Sequence, residues 1–203
     1  TYTVNGLLNN YQGKVTLEGI LRNDGGGADT ILLGTSNSKG SVTKGQMEIV
    51  GGSLLATGSD FTVQNADILV TKAAAVGNYT IAAANGTILD LSTSDIVVNL
   101  KAASEVAFIG AGSNIMVNSY TQLSGNVDVE RAGTGQLRVE ERAVIGGGAG
   151  QEVAMNVRGD AVLFEGGLTL DSYGALTATA GDGTVNLGTA ATPEDLVLNG
   201  NNK

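Results

Sequence analysis

Apolar and polar residues alternate with a period of two over many short stretches of this chain. In each stretch, two apolar side chains can point to one face while polar side chains occupy the other, which is the pattern of a half-buried β-strand. The clearest examples are residues 15–18 (VTLE), 61–64 (FTVQ), 127–130 (VDVE), 137–140 (LRVE) and 168–171 (LTLD). The pattern therefore predicts an all-β protein made of short strands.

The alternating stretches recur at short intervals and are separated by turn-forming residues. In the C-terminal half they begin mostly 6 to 11 residues apart, and the glycine-rich segments 133–135, 166–167 and 181–183 stand between them. Short strands at this spacing are typical of a β-sandwich, a β-barrel or a β-solenoid.

We expect a parallel β-solenoid, in the form of a right-handed β-helix, with a β-sandwich or jelly roll as the alternative. The strands are very short, and the Asn-Gly pairs typical of hairpins are few. With three short strands to a coil of about 20 to 25 residues, about eight to ten coils would form a rod roughly 40 to 45 Å long. Residues 1–203 are expected to form a single domain with wide loops near 24–29 and 146–150.

Composition narrows the classes of function. The net charge of −9 argues against binding to nucleic acids or anionic lipids, which attract clustered Lys and Arg. The chain has no Cys and no His, so disulfides, thiolate metal sites and the commonest general base are excluded. No apolar run approaches the length of a membrane span. We therefore expect no nucleic-acid partner and no direct membrane insertion.

One glycine-rich segment resembles a calcium-binding repeat. Residues 24–32 (DGGGADTIL) are similar to the nonapeptide GGxGxDxUx of secreted RTX proteins, with Asp24 in place of the first glycine. The resemblance implies that Asp24 and Asp29 supply oxygen ligands to calcium, which prefers carboxylate and carbonyl groups. The following nine residues do not repeat the pattern, and an ordinary glycine turn is the alternative interpretation. No other cofactor is expected.

Three pairs of acidic residues could in principle serve carbohydrate chemistry on an exposed face. They are Asp128 with Glu130, Glu140 with Glu141, and Asp160 with Glu165. Arginines lie close to them in the sequence, and the chain has no Trp to hold a sugar ring. We interpret these residues as surface charge pairs between neighbouring strands, and we do not expect an enzyme.

The texture of segments 126–148 and 166–188 is similar to that of bacterial autotransporter passengers and two-partner secreted adhesins. Phage tailspikes and capsid decoration proteins share this texture. The resemblance implies a β-helix and a non-enzymatic structural or adhesive role, extracellular or at a cell surface. The alternatives are a virion structural protein, such as a cement or spike segment, and a carbohydrate-active β-helix enzyme.

Self-association is the partner that the predicted architecture favours. A solenoid exposes a sheet edge at each end, and one end can pair with the other end of a second copy to give a filament or surface layer. The N-terminal segment 2–8 (YTVNGLL) is expected to form one strand that complements a neighbour. A cell surface or a capsid is the other expected partner.

Overall fold

The computed structural model of this chain describes most of its residues. The described ranges are 2–3, 7–9, 14–23, 27–36, 42–50, 52–71, 78–84, 87–100, 105–111, 114–131, 135–146, 153–158, 162–178, 185–189 and 191–199. They form β-strands joined by turns, with no α-helix among them. In these ranges, accordingly, there is no helix of the length and apolarity needed to span a membrane.

The strands are mostly three to seven residues long. In chain order they are β1 (Tyr2–Thr3), β2 (Leu7–Asn9), β3 (Lys14–Leu17), β4 (Ile20–Asn23), β5 (Asp29–Leu32), β6 (Thr35–Ser36), β7 (Val42–Thr43), β8 (Gly45–Ile49), β9 (Gly52–Ala56), β10 (Phe61–Gln64), β11 (Ala66–Thr71), β12 (Asn78–Ala84), β13 (Leu89–Asn99), β14 (Glu105–Ala111), β15 (Ile115–Arg131), β16 (Leu137–Val139), β17 (Ala143–Ile145), β18 (Val153–Arg158), β19 (Val162–Phe164), β20 (Leu168–Leu170), β21 (Gly174–Ala178), β22 (Val185–Leu187) and β23 (Leu196–Leu198).

Successive strands join three ladders in turn, where a ladder is a series of strands that pair side by side in parallel. Ladder 1 contains β1, β4, β9, β12, β14, residues 125–131 of β15, β18 and β21. Ladder 2 contains β2, β5, β10, residues 89–91 of β13, residues 115–117 of β15, β16, β19 and β22. Ladder 3 contains β3, β8, β11, residues 95–99 of β13, residues 119–124 of β15, β17, β20 and β23.

The described strands thus stack in eight rows, each with one segment in every ladder. Paired residues are 19 positions apart at the start, where Tyr2 pairs with Leu21, and 33 positions apart where Leu21 pairs with Leu54. The longest interval contains an excursion, the antiparallel hairpin of β6 and β7. Because the hairpin lies between β5 and β8, it lengthens one row without changing the ladder order.

The hydrophobic core runs through the stack because inward positions align from row to row. In ladder 2, Leu89, Ile115, Leu137 and Val162 are successive partners, and all four are buried. The buried apolar residues of the described chain, with the exception of Ala82, belong to one continuous cluster. Each row therefore covers the apolar side chains of the rows next to it.

The last row departs from this rule. Leu196 and Leu198 of β23 pair with the buried Leu168 and Leu170 of β20, yet they are 47% and 60% exposed. No strand of the described chain pairs with the outer side of β23. The inward positions of the row are therefore apolar but uncovered.

Buried polar side chains lie near the corners where the chain passes between ladders. They are Asn23, Thr87, Ser94 and Gln122. Ser94 donates a hydrogen bond of 2.7 Å to the carbonyl of Val63 in the preceding row, and its oxygen accepts one of 3.0 Å from the amide of Ala66. These bonds satisfy main-chain groups that the turn removes from the ladder, which would be costly to bury without partners.

Gln122 makes a similar connection inside the core. Its Nε2 donates hydrogen bonds to the carbonyls of Gly125 at 2.9 Å and Ala154 at 2.8 Å. Its Oε1 accepts a bond of 3.1 Å from the hydroxyl of Tyr120, and burial raises the pKa of that phenol well above its usual value. A large polar side chain is thus accommodated because its polar atoms have partners.

Gly125 allows β15 to turn from ladder 3 into ladder 1 without a break. Its φ is +89°, a conformation that residues with a Cβ rarely adopt. A Cβ there would also lie 2.6 Å from the Cβ of Leu100. The corner therefore requires glycine for two separate reasons.

The sequence-based expectation of an all-β protein is confirmed, and the pairing is parallel except for the β6–β7 hairpin and one isolated bridge. Sandwiches and jelly rolls are built from antiparallel sheets, so this pairing disfavours that alternative.

The segment 2–8 is not described as one strand: β1 and β2 join different ladders. Residues 24–26 and 147–150 of the expected wide loops lie outside the described residues.

The ladder register predicts different costs for two adjacent substitutions in β19. Phe164 is fully buried, so Phe164→Ala should lower the free energy of unfolding by about 3–5 kcal/mol. Leu163 is half-buried on the opposite face, so Leu163→Ala should lower the free energy of unfolding by less than about 1 kcal/mol. Urea denaturation followed by circular dichroism measures both. Equal costs would contradict the register of ladder 2.

Candidate functional site

A half-open groove lies on the outer face of ladder 3. Its volume is about 490 Å³. It is lined by Lys14, Gln46, Met47, Glu48, Asp67, Ile68, Leu69, Asp95, Val97, Ser119 and Thr121. The lining spans the first five rows of the ladder.

The ladder register places the outward side chains of the groove in two parallel columns. One column is polar and contains Lys14, Gln46, Asp67, Asp95 and Ser119. The other is partly apolar and contains Thr16, Glu48, Leu69, Val97 and Thr121. The columns form because in-register parallel strands bring equivalent positions about 4.8 Å apart.

Asp95 is the most constrained polar group of the groove. Its Oδ1 accepts hydrogen bonds of 2.8 Å from both Asn118 Nδ2 and Ser119 Oγ, and its Oδ2 contacts the ammonium of Lys44. Partial burial acts to raise the pKa of Asp95. The three hydrogen bonds and the charge of Lys44 outweigh it, so the pKa lies below its ordinary value. Asp95 is therefore an ionised anchor that ties Lys44 to the face.

The remaining charges of the groove differ in their pairing. Lys14 forms an ion pair with Glu48 of the next row, and the lysine side chain is 52% exposed. Asp67 lies between Gln46 and Asp95 in the polar column. Among the described residues, none forms a hydrogen bond or an ion pair with the Asp67 carboxylate.

The chemistry that this arrangement supports is recognition through fixed charges and hydroxyl groups. A general acid must hold a proton near the working pH. Asp95 does not meet that requirement because its pKa is lowered and three donors occupy it. No group of three or more acidic side chains is placed to hold a metal ion in the described part of the chain.

A second cluster of charges lies at the edge of ladder 2. The guanidinium of Arg138 donates hydrogen bonds to Glu165 Oε1, with a Nε–Oε1 distance of 3.0 Å. The pKa of the nearby Glu140 is raised, first by partial burial and then by the negative charges of Glu165, Asp90 and Glu141. The positive charge of Arg138 acts to lower the same pKa. Glu140 and Glu141 are exposed in the turn after β16.

The structure describes the acidic residues that the sequence suggests as pairs only in part. Asp128 accepts a hydrogen bond of 3.0 Å from Asn156 Nδ2 in the adjacent row. The described partner of Asp128 is thus an amide, while Arg138 pairs with Glu165. Asp160 lies outside the described residues, and the side chain of Glu130 is not described.

The expected calcium ligands fall at the edge of the described chain. Asp24 lies outside the described residues, while Asp29 is the first residue of β5 and its backbone pairs with Phe61. Gly27, from the same nonapeptide, accepts a hydrogen bond of 2.9 Å at its carbonyl from Asn23 Nδ2. Calcium binding through Asp24 and Asp29 remains a prediction.

Sequence reasoning did not find the groove, because its residues come from five rows. The positions 14, 46, 67, 95 and 119 become neighbours only once the intervals between rows are known. Those intervals vary, so no fixed period in the sequence identifies the column.

No protein-family model matches this chain, and no curated protein or solved structure is significantly similar to it.

The lowered pKa of Asp95 predicts a pH dependence of stability. A carboxyl whose pKa is lower in the folded state stabilises the fold above its unfolded pKa, here near 3.8, and this contribution is lost as pH falls through the folded pKa. Asp95→Asn should cost about 1–2 kcal/mol at pH 7 and progressively less below pH 4. Urea denaturation between pH 7 and pH 2 measures the difference.

Asp67→Asn is the matched control, because it changes the same residue type one row away in the same column. It should alter the free energy of unfolding by less than about 0.5 kcal/mol at every pH. A cost for Asp95→Asn that stays constant from pH 7 to pH 2 would contradict the assigned pairing.

Proposed function

We propose that the three ladders are the three faces of a parallel β-solenoid, and that this solenoid is a non-enzymatic structural or adhesive unit outside the cell. The observation that carries the proposal is the strict order in which strands enter ladders 1, 2 and 3 over eight described rows. One row then corresponds to one coil. Eight rows at about 4.8 Å each make a stack roughly 40 Å long.

The connections support a right-handed coil. Parallel strands in one sheet are joined by right-handed crossovers in nearly all proteins, because strand twist favours that direction. Each return of the chain to the same ladder is such a crossover. The right-handed β-helix therefore stays the preferred form of the proposed solenoid.

A structural role agrees with how the described side chains are used. Several outward charges of the groove and of ladder 2 form ion pairs between rows, such as Lys44 with Asp95 and Arg138 with Glu165. The inward side chains form one continuous core. The feature that repeats from row to row is the stacking of paired strands, which suits a spacer or a display surface.

An extracellular setting agrees with the composition. The chain is acidic and rich in Gly. A strongly negative surface keeps copies apart unless a specific contact or a cation brings them together. We propose a cell surface or an extracellular matrix as the setting, with a virion component as the alternative.

Engineered disulfides test the solenoid directly, since the natural chain has no Cys. Thr121 and Val144 are outward partners in adjacent rows, and Thr169 is the partner of Val144 one row further. Oxidation should join the pair in T121C/V144C, because adjacent rows lie within disulfide reach. Peptide mapping by mass spectrometry identifies the bond.

T121C/T169C is the matched control. Its cysteines lie two rows apart, at about 9.6 Å, which exceeds the reach of a disulfide. A bond in the control, or none in T121C/V144C, would contradict the proposed coil.

Electron microscopy of the purified protein, with and without millimolar calcium, tests the role. We expect rods, fibres or sheets and no degradation of acidic polysaccharides. Assemblies that form only in the presence of calcium would support the site at Asp24 and Asp29. Loss of these assemblies in the variant D24N/D29N would confirm the two residues as ligands. Closed particles of one fixed size would favour the virion component. Polysaccharide cleavage that is lost in Asp128→Asn would favour the enzyme.

A further inference from the structure

The groove on ladder 3 carries more negative than positive charge. Its described lining contains one basic residue, Lys14, and three acidic residues, Glu48, Asp67 and Asp95. Lys14 pairs with Glu48, and Lys44 reaches Asp95 from outside the lining. Asp67 has no hydrogen-bond or ion-pair partner among the described residues. The uncompensated charge of the groove is therefore the carboxylate of Asp67.

An uncovered apolar surface lies beside this carboxylate. Leu69 is two residues further along β11, so its side chain leaves the same face of the sheet as that of Asp67. Leu69 is 36% exposed, and its partner in the next row, Val97, is half-buried. All three residues line the same concavity. This combination suits a ligand that has a cationic head group next to an apolar side chain.

The spacing of the two features matches that of an extended peptide. Residues i and i+2 of a β-strand point to the same side and are about 6.6 Å apart. Asp67 and Leu69 are themselves such a pair. A peptide that lies extended over the face, along the direction of β11, presents its own residues i and i+2 at the same spacing. A basic residue at i would then meet Asp67, and an apolar residue at i+2 would meet Leu69.

We propose that the groove binds an extended basic segment of a partner protein, in which an arginine is followed two positions later by an apolar residue. The carboxylate of Asp67 accepts charge-assisted hydrogen bonds from the guanidinium, whose parallel N–H donors fit a carboxylate. Leu69 and Val97 cover the apolar residue of the segment. This inference rests on the adhesive role proposed above, and it names the kind of partner that such a unit holds.

Three pentapeptides with blocked ends test the charge and the spacing. The first is Gly-Arg-Ser-Leu-Gly, and the second has citrulline in place of arginine, which keeps the shape of the side chain and removes its charge. The third, Gly-Ser-Arg-Leu-Gly, has the same composition, but its arginine and leucine point to opposite sides. Isothermal titration calorimetry at low ionic strength measures their affinities. The first peptide should bind about fivefold or more tightly than each of the others.

Substitutions in the groove test the assigned contacts. Asp67→Asn should weaken binding of the first peptide about five- to tenfold, because it removes the charge that the guanidinium meets. Asp195→Asn is the matched control: it removes the same charge from a side chain that is 75% exposed and lies outside the groove lining. It should leave the affinity unchanged.

A second substitution tests the apolar contact. Leu69→Ala should weaken binding of the first peptide about three- to fivefold, because less apolar surface is covered. It should not change binding of a fourth peptide, Gly-Arg-Ser-Ser-Gly, which has no leucine to lose. An equal effect on both peptides would contradict the pairing of Leu69 with the apolar residue.

The outcomes separate this inference from the proposed function. Equal binding of the arginine and citrulline peptides, or an unchanged affinity in Asp67→Asn, would refute it, and equal binding of the first and third peptides would refute the extended mode. Self-association that is lost in Asp67→Asn, without peptide binding, would assign the groove to a second copy of the chain and overturn the proposal. A disulfide in T121C/V144C would leave the solenoid standing in each of these cases.

Polysaccharide cleavage that is lost in Asp128→Asn would refute the non-enzymatic role even if the peptides bind. Preference for the first peptide that is lost in Asp67→Asn and kept in Asp195→Asn would establish the inference.

Discussion

Parallel pairing between residues 19 to 33 positions apart is the constraint on which this structure depends. A strand of three or four residues cannot bury its apolar side chains by itself, and in a parallel ladder it also needs a neighbour for every main-chain group. Each row supplies both to the next. The free energy of the fold therefore resides in the contacts between rows, as in other repeating architectures.

This dependence explains where polar residues enter the interior. Away from the corners, the ladder itself satisfies the main chain, and the buried inward positions are Val, Ile, Leu, Ala, Met, Phe and Tyr. At the corners the ladder is interrupted, and side chains such as Ser94 and Gln122 donate hydrogen bonds to main-chain carbonyls of other rows. Gly125 serves the same corner by adopting a backbone conformation that other residues avoid. Polar atoms and glycine thus mark the turns between ladders.

The alternation of residues predicted the strands, while their spacing alone left a sandwich, a barrel and a solenoid open. It also predicted the inward set, because residues such as Val127, Val129, Leu137 and Val139 are buried as their pattern requires. The pairing of rows was harder to predict, since the interval changes whenever a turn gains or loses residues. The groove depends on those intervals: Asp67 and Asp95 look unrelated in the sequence, and Lys44 reaches Asp95 across two rows.

The β6–β7 hairpin lengthens the chain between β5 and β8, yet both strands keep their places in ladders 2 and 3. The connection can therefore vary in length and sequence while the framework that carries it stays constant. Surface connections of this kind tolerate insertions and substitutions better than the strands that they join. A change in the length of the hairpin is therefore separable from the pairing that holds the rows together.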